Sequence, residues 1–185
     1  MDLLIPLIVV GALLLLVVSA YNGLVNGRNR VDEALGQIQV QLKRRYDLIP
    51  NLVEAVKGQM GFEKGVLESV TAARAAAVNA GATGNTAAQA KAENLLSSSL
   101  RTLFANVDAY PTLKSNENVI QLQEQLTSTE NQIGFSRQHY NASVLAYNTS
   151  IQSFPGVLFA GALGFAKREF FDAPDAEEAV PQVKL

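Results

Sequence analysis

Few residues in this chain are of a type that does chemistry, and their spacing does not gather them. His139 is the sole histidine, and there is no cysteine. One imidazole without a thiolate or a second imidazole builds no transition-metal site, and thiol catalysis and disulfides are excluded. His139 stands beside Tyr140 in a helical stretch, where a lone histidine is ordinarily solvated. The carboxylates Asp32, Glu33, Asp47 and Glu54 are spread around helix faces, and Glu63 and Glu68 have the spacing of surface residues. No glycine-rich phosphate loop follows a strand, and GxSxG and Walker-type patterns are absent. The residues therefore point away from an enzyme and call for no cofactor or metal.

The basic run Lys43-Arg44-Arg45 needs separate weighing. Consecutive helical residues point about 100° apart, so the run is not one patch. Arg45 falls on an apolar seam and Lys43 does not. A buried pair is expected for Arg45, with Asp47 or with a carboxylate from another helix. Arg28 interrupts the same seam. Polar residues on a seam set register and partner choice, which makes Arg28 and Arg45 candidates for the register of self-assembly. Arg28 and Arg30, nearer the apolar N-terminus, are candidates for lipid headgroups. Formal net charge is -2, which gives no case for nucleic acid.

That seam is Leu24, Val31, Leu35, Ile38, Leu42, Ile49, Leu52 and Val56, with alternating steps of three and four once the two arginines are counted. It predicts a long helix packed along other helices. Before it, Leu3 to Ala20 holds no charged residue. About 18 residues at 1.5 Å each span about 27 Å, close to a bilayer core. Tyr21 suits the interface. Val18-Ser19-Ala20 resembles a signal cleavage site, but no Lys or Arg precedes the apolar run, so a retained anchor is the better reading. Basic residues follow the span and only Asp2 precedes it, which puts the N-terminus outside and the large domain in the cytoplasm.

Asn22 to Gly27 reads either as a flexible elbow or as helix continuing out of the bilayer, with the seam favouring the latter. The helix is expected to reach about Asn79, with a kink or short break at Tyr46–Pro50 and a weak point at Gly58–Gly65. A second helix runs from about Thr86 to Ala109, on the seam Leu96, Leu100, Leu103, Val107 and Tyr110. A third, capped by Ser115 or Asn116, runs to about Ser153. Its seam is Val119, Leu122, Leu126, Ile133, Tyr140, Val144, Tyr147 and Ile151. Phe154-Pro155-Gly156 stops it. The fold class is all-α: a transmembrane helix, then an antiparallel bundle of three or four long helices, the count depending on where the first helix splits.

Val157 to Phe171 is apolar, then basic, then aromatic, and too short to span unaided. It suits the membrane interface, a plug on the bundle, or an oligomer contact. Lys167 and Arg168 are headgroup candidates. Leu158, Phe159, Leu163, Phe165, Phe170 and Phe171 are candidates for assembly or membrane contact. The expected divisions are an anchor over 1–21, a bundle over 22–156, this segment over 157–171, and a mobile acidic tail over 172–185.

The residues resemble the LemA family. The match rests on YNGLVNGRNRV (Tyr21–Val31), QIQVQLKRRYDLIPNLVEAVKG (Gln37–Gly58), VTAARAAA (Val70–Ala77) and AYPTLKSNENVIQLQEQL (Ala109–Leu126). It continues through TENQI (Thr129–Ile133), YNASVLAYNTSIQSFPG (Tyr140–Gly156) and KREFF (Lys167–Phe171). Leu35 stands where many members carry tryptophan. The resemblance implies a single-span bacterial inner-membrane protein with an antiparallel helical domain and no agreed catalytic residues. One relative takes part in magnetosome membrane formation. The expected function is a non-enzymatic scaffold that binds membrane lipid, forms a homo-oligomer and organises or shapes the membrane. The alternative is an adaptor or sensor bundle for another membrane protein, such as a protease or envelope-stress component.

Overall fold

The computed structural model describes residues 4–58 and 63–171. The proposed tail over 172–185, and part of the weak point at Gly58–Gly65, lie outside the described residues. Six helices follow in order: α1 (Leu4–Lys57), α2 (Lys64–Ala82), α3 (Thr86–Asp108), α4 (Pro111–Lys114), α5 (Glu117–Gln152) and α6 (Gly156–Phe159). The described residues contain no strand.

α1 leaves the apolar stretch without an elbow at Asn22–Gly27 and passes Pro50 without a break. Pro50 lacks the amide that would bond to the carbonyl of Tyr46, four residues back. Arg74 of α2 supplies the missing donor, its Nε lying 2.7 Å from the Tyr46 carbonyl oxygen. Pro50 itself is exposed, so its ring faces water. Of the kink or short break expected at Tyr46–Pro50, the break is absent. The division falls between Lys57 and Lys64, and the helix expected to reach Asn79 is two helices.

The described chain forms two compact units. Unit 1 holds the residues before Ile38 together with Gln138–Glu169, and unit 2 holds Ile38–Arg137 with Phe170 and Phe171. Within unit 2, Gln39 pairs with Gln89 and Arg45 with Glu93, so α1 and α3 run the same way. Asn94 pairs with Arg137 and Ser97 with Glu130, so α3 and α5 run oppositely. With α2 returning along α3, the order is up, down, up, down, a four-helix bundle. Its core is built from Ile49, Leu52 and Val56 of α1, Val70, Ala73 and Ala77 of α2, Leu96, Leu100, Leu103 and Val107 of α3, and Val119 and Leu126 of α5. Asn85 caps α3 by accepting from the Ala88 amide, just after Gly84 turns the chain at φ 72°. Asn116 caps α5 through the amides of Asn118 and Val119.

In unit 1 the apolar start of α1 stays uncovered. Ten large apolar side chains between Leu4 and Val18 are exposed. Burial of such a side chain is worth about 1.5–3 kcal/mol. Even half of that, taken over the set, matches the 5–15 kcal/mol that typically holds a domain together. A stretch long and apolar enough to cross a membrane is thus left with no protein cover. Farther on, α1 buries Leu24, Val31 and Ala34, and Gly27 meets Tyr147 and Ser150 of α5. The inward seats are Gly27 and Ala34, not Arg28 and Leu35: Arg28 is exposed and Leu35 half-buried. A Cβ on Gly27 would lie 3.1 Å from the Tyr147 ring, so the tyrosine occupies the space that glycine leaves. At Gly156 the Ser150 carbonyl oxygen comes so close that a Cβ would sit 2.1 Å from it. No side chain larger than hydrogen fits there without moving backbone.

Candidate functional site

Unit 2 contains a polar cluster inside its core. Arg45 of α1 has no exposed surface, and its guanidinium pairs with Glu93 of α3 and Glu130 of α5. Its Nη1 also donates to the Ser97 hydroxyl at 2.9 Å, and that hydroxyl donates to Glu130 at 2.6 Å. Tyr46 donates its hydroxyl to Glu93. One turn away, Gln39 and Gln89 exchange amide hydrogen bonds at 3.0 and 3.3 Å. Burial, and after it the bond to Glu93, pushes the Tyr46 hydroxyl well above its usual range. The cluster ties three helices through one arginine. Its donors and acceptors are engaged with one another except Arg45 Nε, which is buried without a partner among the described residues, and the described residues hold no group of three His, Cys, Asp or Glu side chains able to grip a metal.

Spacing along single helices does not name these partners, but the expected pairing of a buried Arg45 with a carboxylate from another helix holds. Arg45 was expected to pair with Asp47 or with a carboxylate from another helix. Asp47 is exposed, and the partners come from α3 and α5. Residues two apart on a helix face different ways, so Asp47 cannot reach the inward side. The signal was present on α3, where Glu93 sits three before Leu96 and so continues the seam backward. Gln89 and Ser97 lie four residues to either side of it. An arginine on one seam needed a carboxylate on another.

Unit 1 gathers a second cluster near the apolar stretch. Tyr21, Arg28 and Asp32 recur at seven and four residues and share a face of α1. Tyr21 meets the Phe165 ring edge-on at 5.9 Å, and the Arg28 guanidinium lies 5.4 Å from its centre. Asp32 pairs with Arg168 at 2.7 Å. Asn148 of α5 donates to the Arg168 carbonyl and accepts from its amide, both at 2.9 Å, and the Tyr140 hydroxyl donates to the Glu169 carbonyl. Residues 165–169 are therefore strapped to the helix pair. Burial pushes the Tyr147 hydroxyl up as well.

Against these clusters the sequence candidates separate. Arg30 and Lys167 are exposed. Arg28 and Arg168 have partners inside unit 1 and still show surface. Leu158, Leu163 and Phe170 are exposed and Phe159 half-buried. Phe165 and Phe171 are buried, so they serve packing and are corrected as outward contacts: Phe165 lies under Arg28, and Phe171 lies in unit 2 against Arg137 at 4.9 Å. Aromatic rings beside cations suited a headgroup layer equally well, and composition alone did not separate the two.

A sequence profile of the LemA family matches residues 34–185. Magnetosome protein MamQ of Magnetospirillum gryphiswaldense is 24% identical over 189 residues, covering 88% of this chain and 70% of that protein. Magnetosome protein MamQ 2 of Paramagnetospirillum magneticum shows the same identity and coverage. Protein LemA of Metamycoplasma hominis is 22% identical over 171 residues, covering 92% of this chain and 77% of its own length.

Proposed function

The chain belongs to the LemA family, and on that premise we propose that it is a membrane-anchored helical scaffold, without enzymatic activity, that self-associates and organises the bacterial membrane. The observation that carries this reading is the opening of α1. Its exposed apolar side chains need a bilayer, and the same helix continues unbroken into a packed bundle. In this reading residues 1–21 are a single-pass anchor. Basic residues after the span put the body of the protein on the cytoplasmic side. Relatives named for the magnetosome support a role in membrane organisation.

Self-association draws support from apolar side chains left at the surface beyond the anchor. Val40, Leu95 and Phe135 are exposed in unit 2, and Leu145, Phe154 and Leu158 in unit 1. The test is the mass of the full-length protein in mild detergent over a wide concentration range, beside Phe135→Ser and Leu145→Ser. A discrete oligomer weakened by either substitution supports the scaffold. Monomers at every concentration would overturn self-association and favour an adaptor for another membrane protein, to be sought by cross-linking in cells.

A further inference from the structure

Where α1 leaves its apolar stretch, unit 1 carries a trough that packing does not fill. One hollow of about 550 Å³ lies between Gly23, Asn26, Gly27 and Arg30 on α1 and His139, Ser143 and Tyr147 on α5. A second, of about 460 Å³, is lined by Ser19 and Ala20 of α1 and by Thr149 and Phe154. The two share Gly23, Ala146 and Ser150, so they are one trough. It starts in the last turn of the apolar span and ends at Arg30, about 15 Å farther along the helix.

Its chemistry changes along its length. Mostly small side chains line the membrane end, with Leu24, Phe154 and Pro155 among them. Arg30 and His139 stand on opposite walls of the far end, with Asn26, Ser143 and Ser150 supplying neutral polar groups. Among the described residues no carboxylate lines either hollow. Arg28 and Arg168 are already engaged by Phe165 and Asp32. Arg30 makes no ion pair or hydrogen bond within the described residues. Helical side chains lean toward the N-terminus, which for α1 is toward the bilayer, so Arg30 reaches back toward the headgroup layer. A small-walled channel open at the membrane, closed by the Arg30 guanidinium and the His139 ring and free of acid, fits a ligand with an apolar end in the bilayer and an anion at the other.

We infer that this trough seats one anionic phospholipid, its phosphate between Arg30 and His139 and its glycerol end along Gly23 and Ala146. The inference rests on the membrane-anchor reading and adds a specific lipid site to it. Charge complementarity selects the occupant: a second copy's helix would bring no required anion, and a free phosphate would leave the small-walled half empty.

His139 is the only histidine, so its ring proton gives one assignable NMR signal. Full-length protein in maltoside micelles is titrated with dihexanoyl phosphatidylglycerol, dihexanoyl phosphatidylcholine and glycerol 3-phosphate. The expected result is a saturable shift with phosphatidylglycerol, roughly tenfold weaker with phosphatidylcholine, and none with glycerol 3-phosphate. Gly23→Leu fills the trough and abolishes the shift. A Cβ there meets nothing within 4 Å, so the fold tolerates it. Arg30→Gln weakens binding roughly tenfold. A signal unmoved by phosphatidylglycerol, equal responses to the two lipids, saturation by glycerol 3-phosphate, or unchanged binding in Gly23→Leu would each overturn the site. So would a signal that follows protein concentration instead of lipid, which would give the trough to a second copy. Carbonate-washed membranes of the wild type test the anchor separately. A chain retained there while His139 ignores the lipid sinks the trough and leaves the anchor standing.

Discussion

Arg28 and Arg45 interrupt the same apolar row of α1, and the two units treat them in opposite ways. In unit 2, Arg45 is fully buried and held by Glu93, Glu130 and Ser97. In unit 1, Arg28 stays at the surface over the Phe165 ring, while Gly27 takes the inward seat and Tyr147 fills the room it leaves. The difference lies in what faces each position. Opposite Arg45 stand two carboxylates from other helices, so a buried charge is compensated. Opposite residues 27 and 28 stands a large ring, so the helix turns its smallest residue inward and its cation outward. A seam read from one helix identifies a face. The partner decides which residue of that face goes inside.

The contrast is broken most forcefully at Arg45. Arg45→Ala should cost about 3–5 kcal/mol, because it leaves Glu93 buried without its cation. Denaturant titration of the full-length protein in detergent checks it. Replacing Arg45 by Met and Glu93 by Leu together should recover much of the loss, since Glu130 keeps access to water. A double variant as unstable as the single one would show that the cluster acts through shape and not through charge.

The next effect tests how α1 stays whole beside that cluster. Arg74→Ala should cost about 1–3 kcal/mol by leaving the Tyr46 carbonyl without a donor. Pro50→Ala restores a helical amide to that carbonyl, so Arg74→Ala should cost far less on that background. An equal cost on both backgrounds would remove the link between Arg74 and Pro50.

Alkaline pH sharpens the comparison in a graded way. Folding holds the Tyr46 proton above its usual range, by burial first and by the Glu93 bond second. An unfolded tyrosine releases its proton near pH 10. Above that pH the unfolded chain therefore binds fewer protons than the folded one, and stability falls as pH rises; below it this contribution is fully present. Tyr46→Phe should flatten the fall and leave the part due to Tyr147. An unchanged slope in denaturation curves between pH 9 and 11 would count against a Tyr46 proton held more tightly by folding, whatever the share of burial and of the Glu93 bond.

Arg28 should give the smallest effect. Arg28→Ala loses an exposed cation–π contact worth about 0.5–1 kcal/mol. A loss as large as that of Arg45→Ala would erase the distinction between the units.

Much of this was legible in the sequence because apolar periodicity reports buried faces directly. The long first helix, the stop at Phe154-Pro155-Gly156 and the Asn116 cap all came from local chemistry that the fold retains. Gly27 and Ala34 escaped because small inward residues carry almost no hydrophobic signal. Glu93 and Glu130 escaped because a polar residue on a seam makes sense only beside its partner, which no single-helix pattern supplies. Phe165 and Phe171 were visible as apolar, but whether protein or lipid covers a ring depends on contacts distant in sequence.

The absence of any elbow between Ala20 and Leu24 carries one more consequence. An unbroken helix has torsional stiffness, so the span and the seam of unit 1 share a fixed azimuth about the helix axis. Inserting one alanine after Tyr21 would turn the seam of unit 1 by about 100° relative to the apolar stretch, whereas adding seven would return it nearly to phase. The rotational setting of the apolar stretch is thus carried along α1, as a crank turns with its shaft, to the face on which Leu24, Gly27, Val31 and Ala34 sit.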